Sequence, residues 1–275
     1  MAEAEEDVTV VGSYSEAGGV TKTITGLSIA VTHAEENPDD EVIYGDLDPR
    51  AAGTKWTGAE PVKPGMHIGA IIADEDPDGW ADDLAVPLDP ELGWPANLRV
   101  IPSGYRALAN HEKNPDDHAE LRLKRSLSGT RARLAVFDFP NRQGGILTQN
   151  GLSACHRIVY AAKPDEDGFD GVQGAMETVS RFKSYRQRTG ARADLPREVG
   201  IALGMAYQGA VWTREALRVV DVFDEDYPGM LLRPFVERLV IVSEARAAGE
   251  WYGKYRKGKG VRNAYNELRK EVLRK

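Results

Sequence analysis

The sequence predicts an α/β fold: a mostly parallel, twisted sheet with helices on both faces. Three observations lead there. Nearly continuous apolar runs, such as Arg133-Leu134-Ala135-Val136-Phe137 and Ile158-Val159-Tyr160-Ala161-Ala162, have the composition of strands buried on both sides. Stretches with helical periodicity separate these runs, as in βαβ units. Glycine or aspartate stands just beyond several of the runs, where ligands of open parallel sheets bind.

In chain order, residues 8–11 form a first strand. A glycine turn follows, and then a helix whose Ile24, Leu27 and Val31 share one face. Residues 41–44 form a short strand ending at Asp46-Leu47-Asp48-Pro49. Residues 66–73 read as a helix or buried segment before the acidic turn 74–79, and 98–102 as a third strand. A helix over 120–127 precedes the strand 133–137, which ends at Asp138. Cys155-His156 reads as part of a buried helix before the strand 158–162. Helices over 171–183 and 214–222 flank a strand over 199–205. The apolar run 239–242 reads as a last strand and 263–274 as a terminal helix with Leu268, Val272 and Leu273 on one side.

With 275 residues and 41% hydrophobic content, the chain can bury a sizeable core. The organisation expected is an acidic tail over 1–7, without signal or transit character, and one domain over 8–275. No run approaches the ~18 apolar residues of a membrane span. Cys155 is the sole cysteine, which excludes an internal disulfide and a cysteine-cluster metal site and fits a cytoplasmic location. His33, His67, His111 and His118 show no metal-ligand spacing. The net charge of −8 is uneven. Residues 251–275 hold nine Lys/Arg and two Glu, a local +7, so the rest carries −15.

The glycine turn carries the chemistry. Glu16-Ala17-Gly18-Gly19-Val20-Thr21-Lys22-Thr23 lies between a strand and a helix, the arrangement that cradles nucleotide phosphates on backbone N–H groups. Lys22 adds a point charge and the Thr23 hydroxyl can ligate Mg²⁺. Against the general pattern G-x-x-x-x-G-K-[ST], Glu16 and Thr21 stand where glycines are expected. Asp138 suits a metal-supporting carboxylate and Asp48 a group that positions water for phosphoryl transfer. Each could equally begin a turn.

These residues resemble the ParA-type plasmid and chromosome partition ATPases, relatives of MinD. Their deviant Walker A loop is similar to Ala17-Gly18-Gly19-Val20-Thr21-Lys22-Thr23-Ile24, and their D-L-D-P-Q element to Asp46-Leu47-Asp48-Pro49-Arg50. Asp138-Phe139-Pro140-Asn141, Leu147 to Leu152, Lys163-Pro164-Asp165, Ser243-Glu244-Ala245 and Gly260 to Tyr265 follow in the family's order. The resemblance implies a P-loop NTPase-like fold that binds ATP and Mg²⁺ through Gly18 to Ile24, with Lys22, Asp48 and Asp138 catalytic and Thr23 and Asp138 at the metal. It further implies an ATP-induced sandwich homodimer, non-specific DNA binding, a centromere-binding partition protein as partner, and a nucleoid-associated location. Residues 205–208 lie where the family places an adenine contact, without its usual polar pattern.

The family's signature lysine, which reaches the partner's nucleotide, is replaced by Ala17, so slow hydrolysis is expected. Arg50, in place of the family's glutamine, is either a substitute cation or a solvated turn residue. Glu16 is expected to point away from the phosphates, because like charges ~4 Å apart repel by about 4 kcal/mol at an effective dielectric near 20. Lys254, Arg256, Lys257, Lys259 and Arg262, interleaved with Trp251, Tyr252 and Tyr255, form a candidate DNA-backbone patch or a solvated face. Arg181, Lys183, Arg186 and Arg188 form a second. Two other readings remain: a hydrolysis-deficient DNA-binding scaffold, and a MinD-like membrane-associated positioning protein using the terminal helix.

Overall fold

The computed structural model describes residues 8–19, 21–190 and 195–275; the tail 1–7 and Val20 lie outside them. Seven strands form one sheet: β1 (Thr9–Tyr14), β2 (Glu41–Asp46), β3 (Val86–Pro87), β4 (Leu98–Ile101), β5 (Ala132–Asp138), β6 (Arg157–Ala162) and β7 (Arg197–Leu203). Their order is β3-β4-β2-β5-β1-β6-β7, and every pairing is parallel except that of the short edge strand β3 with β4.

The described helices are α1 (Lys22–Glu36), α2 (Ala52–Thr57), α3 (Ile68–Ala73), α4 (Trp80–Leu84), α5 (Tyr105–Lys113), α6 (Arg122–Ser126), α7 (Gly145–Ala154), α8 (Glu166–Arg188), α9 (Arg214–Asp226), α10 (Val240–Ala247) and α11 (Lys259–Arg274). Alternation along the strands divides the core between the two faces. On one face Val11, Tyr44 and Val136 pack with Leu27 and Val31 of α1 and with Tyr265, Leu268 and Val272 of α11. On the other, Val10, Ile43 and Phe137 pack with residues from α3 and α5 through α9. Because α1 follows β1 on one face and α7 follows β5 on the other, the loops after these adjacent strands diverge and leave a crevice at their carboxyl ends.

The apolar run 239–242 is not a strand. Leu239 is the residue before α10, Val240 is 64% exposed, and only Val242 and Ala245 of that helix are buried. The edge of β7 is covered instead by the irregular segment 230–236: Leu232 N donates to Ile201 O at 2.9 Å and Val236 N to Leu203 O at 2.9 Å. A four-residue apolar run has no periodicity long enough to separate strand from helix. Cys155 ends α7, and His156 lies in the link to β6, its Nδ1 accepting from Val10 N at 3.1 Å. Burial pushes the Cys155 thiol far up, so it is inert.

Candidate functional site

Strand register brings the first polar residues together. Ser13, Asp138 and Asp46 are neighbours across β1, β5 and β2 at their carboxyl ends. Ser13 Oγ donates to Lys22 O at 2.9 Å, tying the end of β1 to the start of α1. Between them runs the glycine turn. Gly19 has φ +71° and Thr21 φ +73°, so Thr21 adopts left-handed backbone where the general pattern has glycine. For a β-branched residue this conformation costs about 1–3 kcal/mol and persists only when its surroundings enforce it. Here they do: Thr21 Oγ1 donates to Ala162 O at 3.4 Å, and its side chain fills the space where a Cβ on Gly204 would lie, 2.8 Å from Oγ1. The chain has exchanged a glycine in the loop for one just after β7.

Lys22 is nearly buried, and its Nζ donates to Ala17 O at 2.7 Å, folding the side chain over its own loop. Burial lowers its pKa, opposed by the charges of Asp138 and Asp48. Thr23 Oγ1 donates to Asp138 Oδ2 at 2.5 Å, and Tyr44 OH donates to the same oxygen at 3.3 Å. Asp138 Oδ1 is buried without a hydrogen-bond partner. Burial, and then the charge of Asp46, push the Asp138 carboxyl up to about 8. An orphaned carboxylate oxygen behind a threonine hydroxyl fits a hard divalent cation. Among the described residues no group of three or more His, Cys, Asp or Glu could hold a metal ion.

Asp46 is a clamp. It accepts from Thr54 N at 2.9 Å, Thr54 Oγ1 at 3.0 Å and Asp48 N at 3.2 Å, and burial raises its carboxyl to about 6. The loop it holds is a tight turn: Asp48 Oδ1 accepts from Arg50 N at 2.8 Å, and Asp48 O accepts from Ser103 Oγ at 2.9 Å. Lys55 Nζ donates to Arg50 O at 2.8 Å. The Arg50 guanidinium thereby overhangs the glycine turn, 3.5 Å from where a Cβ on Gly18 would sit.

A cavity of about 350 Å³ lies over this arrangement, within the size range of small-ligand sites. Gly18, Gly19, Thr21, Lys22, Thr23 and Ile24 all line it, with Asp48 and Arg50; Asp138 sits behind Thr23. Lys55 and Arg246 add further cations, against one lining carboxylate among the described residues, that of Asp48. The net positive lining suits a polyanion. Glu16 is turned away, accepting from Tyr14 OH at 3.0 Å and Thr178 Oγ1 at 2.6 Å. Of residues 205–208, Met205 alone lines the cavity, beside Val242 and Ser243.

Lys55, Trp56 and Arg246 carry no sequence signal that marks them as site residues. They arrive through an aromatic assembly: Trp56 stacks on Tyr252, and the Trp56 and Trp94 indoles donate to the carbonyls of Glu250 and Gly249, both at 3.0 Å. That assembly joins α2 to the segment after α10. It also revises the basic patch. Trp251 and Tyr252 are fully buried, Lys254 pairs with Glu250, and Arg262 pairs with Glu35 and Glu36, leaving Arg256, Lys257 and Lys259 as exposed cations without an ion pair among the described residues. In α11, Val261, Tyr265, Leu268 and Val272 are buried, so its apolar face is already covered. Among the described residues no helix is long and apolar enough to cross a membrane.

No protein-family model matches the chain, and no curated protein matches it either. Solved structures do. Apo McdA from Cyanothece shares 17% identity over 97% of this chain and 99% of its own, with a TM-score of 0.77. Cobyrinic acid a,c-diamide synthase from Mycobacterium smegmatis, solved with an ATP analogue and magnesium, shares 24% over 97% and 94%, with a TM-score of 0.73. A plasmid partition protein from Borrelia burgdorferi bound to AMPPNP shares 16% over 98% and 99%, with a TM-score of 0.72. Sheet order, crevice and these likenesses agree: the chain has the fold of the P-loop ATPases of the ParA/MinD type.

Proposed function

We propose that this chain is a ParA-like ATPase of DNA partition or cargo positioning, which binds ATP with Mg²⁺, dimerises around the nucleotide and then binds DNA non-specifically. The observation that carries the reading is the glycine turn with Lys22 and the Thr23–Asp138 pair beneath a cavity lined by cations. Backbone N–H groups and Lys22 would hold the phosphates, and Thr23 with Asp138 behind it would hold Mg²⁺. The ion supplies charge neutralisation of the phosphates. Asp48 would position the attacking water. A centromere-binding partner, by analogy with partition proteins, would stimulate turnover at the nucleoid.

Ala17 makes hydrolysis slow in this reading, since a cation acting across a dimer is worth about 10³–10⁵ in rate in the arginine-finger enzymes. Arg50 supplies part of that charge. Arg50→Ala is expected to slow ATP turnover at least about tenfold while ATP-dependent dimerisation persists; turnover at the parent rate in a dimerising variant removes Arg50 from the mechanism. Complete absence of turnover in the parent, with ATP-dependent DNA binding retained, would favour the scaffold reading that Ala17 motivates.

The DNA arm is tested by fluorescence anisotropy on a long non-specific duplex, with and without Mg-ATP. Binding is expected only with Mg-ATP and should weaken steeply with salt. Replacing Arg256, Lys257 and Lys259 together by alanine should flatten the log–log salt slope by roughly 2.7, about 0.9 for each phosphate no longer neutralised. An unchanged slope assigns DNA to another surface, and salt-insensitive binding contradicts the model.

A further inference from the structure

The second basic cluster of the sequence is divided by the helix that carries it. Lys183 pairs with Glu198 at 2.6 Å. Arg181 and Arg186 instead line a cavity of about 660 Å³ between α7 and α8, which shares no lining residue with the cavity over the glycine turn. Neither arginine makes an ion pair among the described residues. The cavity arises because α8 outruns its packing. Its buried residues end at Val179, and none of 180–188 is buried. Thr178, Arg181, Phe182 and Tyr185 recur three and four residues apart and form one wall. Thr148 and Leu152, four apart on α7, belong to the other.

Both walls carry donors without acceptors. Arg186 Nε and Thr148 Oγ1 are shielded from solvent and have no hydrogen-bond partner. Buried polar groups are otherwise hydrogen-bonded almost without exception, so both are free to serve an outside acceptor. The surroundings are apolar and aromatic. Leu152 is buried, Tyr185 is 60% exposed, and the Arg186 guanidinium lies 6.0 Å from the centre of the Phe182 ring. Two guanidinium charges face one lining carboxylate among the described residues, that of Glu120, which leaves a single positive charge in excess. A guanidinium holds a carboxylate through two parallel hydrogen bonds, and neighbouring rings stack on a flat apolar body.

We propose that this cavity binds an aromatic monocarboxylate, with Arg186 holding the carboxylate and Phe182 and Tyr185 against the ring. The test is a saturation-transfer NMR titration of the full chain, without nucleotide, with naphthaleneacetate and with its uncharged counterpart naphthaleneacetamide. Saturable binding of the acid is expected, with a Kd on the order of 0.1 mM for so small a ligand. The amide should bind at least about tenfold more weakly, the scale of one charge-assisted contact. Arg186→Met keeps the apolar stem and should lose about the same factor. Gln149→Trp, at an exposed position of α7 on the rim, should fill the cavity and abolish binding. Melting temperatures near the parent's separate these losses from misfolding, and Lys22→Ala should bind the acid like the parent. The proposal is overturned by the absence of saturable binding, by equal affinity for acid and amide, or by parent-like binding in Arg186→Met. Loss in Lys22→Ala with retention in Arg186→Met would put the anion in the nucleotide cavity. Displacement of the acid by non-specific duplex DNA would return Arg181 and Arg186 to a DNA surface. Either result also overturns it.

Discussion

Replacing Lys22 by alanine is expected to weaken Mg-ATP binding by about 10²–10³-fold, the loss of two charge-assisted hydrogen bonds at roughly 1.5–2 kcal/mol each. In the structure, Lys22 Nζ rests on Ala17 O, inside the loop that would hold the phosphates. Only a swing of the side chain is needed to exchange that carbonyl for phosphate oxygens. Two carboxylates, Asp138 and Asp48, favour the charged ammonium against the cost of burial. Removing the lysine takes away one hydrogen bond, to Ala17 O, and no side chain of the apolar core, so the fold should survive. Circular dichroism should match the parent while calorimetry shows the weakened binding. Parent-like affinity in Lys22→Ala would remove the basis of the proposed function.

The second large effect concerns Asp138 and pH. Its carboxyl titrates near 8 in the folded protein, raised by burial and by Asp46, against about 3.9 when unfolded. Between these values the folded state holds a proton that the unfolded state has released. Stability without nucleotide therefore falls as pH rises from about 4 to about 8. The limit is ~1.4 kcal/mol per pH unit, and coupling to Asp46 and Lys22 reduces the total to a few kcal/mol. Asp46, raised to about 6, adds a contribution of the same sign over about pH 4–6.

Asp138→Asn should accordingly flatten the stability profile above about pH 6. At pH 8 the variant should melt several degrees above the parent, at roughly 2–4 °C per kcal/mol for a chain of this size. At or below about pH 4 the two should nearly coincide. Under the proposed function the same variant loses hydrolysis, so the carboxyl trades stability for activity. Parallel profiles for parent and variant would mean that Asp138 is already ionised in the folded protein.

Much of this site is legible locally. The strand–turn–helix order around Lys22-Thr23 and the carboxylates ending β2 and β5 are neighbours in sequence of the elements that position them. Parallel strands then bring Ser13, Asp46 and Asp138 into register. The last strand expected over 239–242 is absent because four apolar residues can serve either element. What excludes it is an edge of β7 already hydrogen-bonded to 230–236. Likewise, Trp251 and Tyr252 have the composition of a nucleic-acid platform. Their burial against Trp94, Trp56 and Ser28 depends on partners more than 150 residues away.

The glycine turn shows the same division. The α/β class, the phosphate-type loop and its two departures, Ala17 and Thr21, are all written in short stretches of chain, because strand periodicity and loop chemistry are local properties. How those departures are accommodated emerges only once the chain has folded. Thr21 holds left-handed backbone because Gly204, just after another strand, leaves room for its side chain. Beside the turn that lacks a cation at Ala17 stands Arg50, which comes from the loop after β2. A parallel sheet gathers the carboxyl ends of strands far apart in the chain, and neither charge nor steric room can be assigned to a site before that gathering occurs.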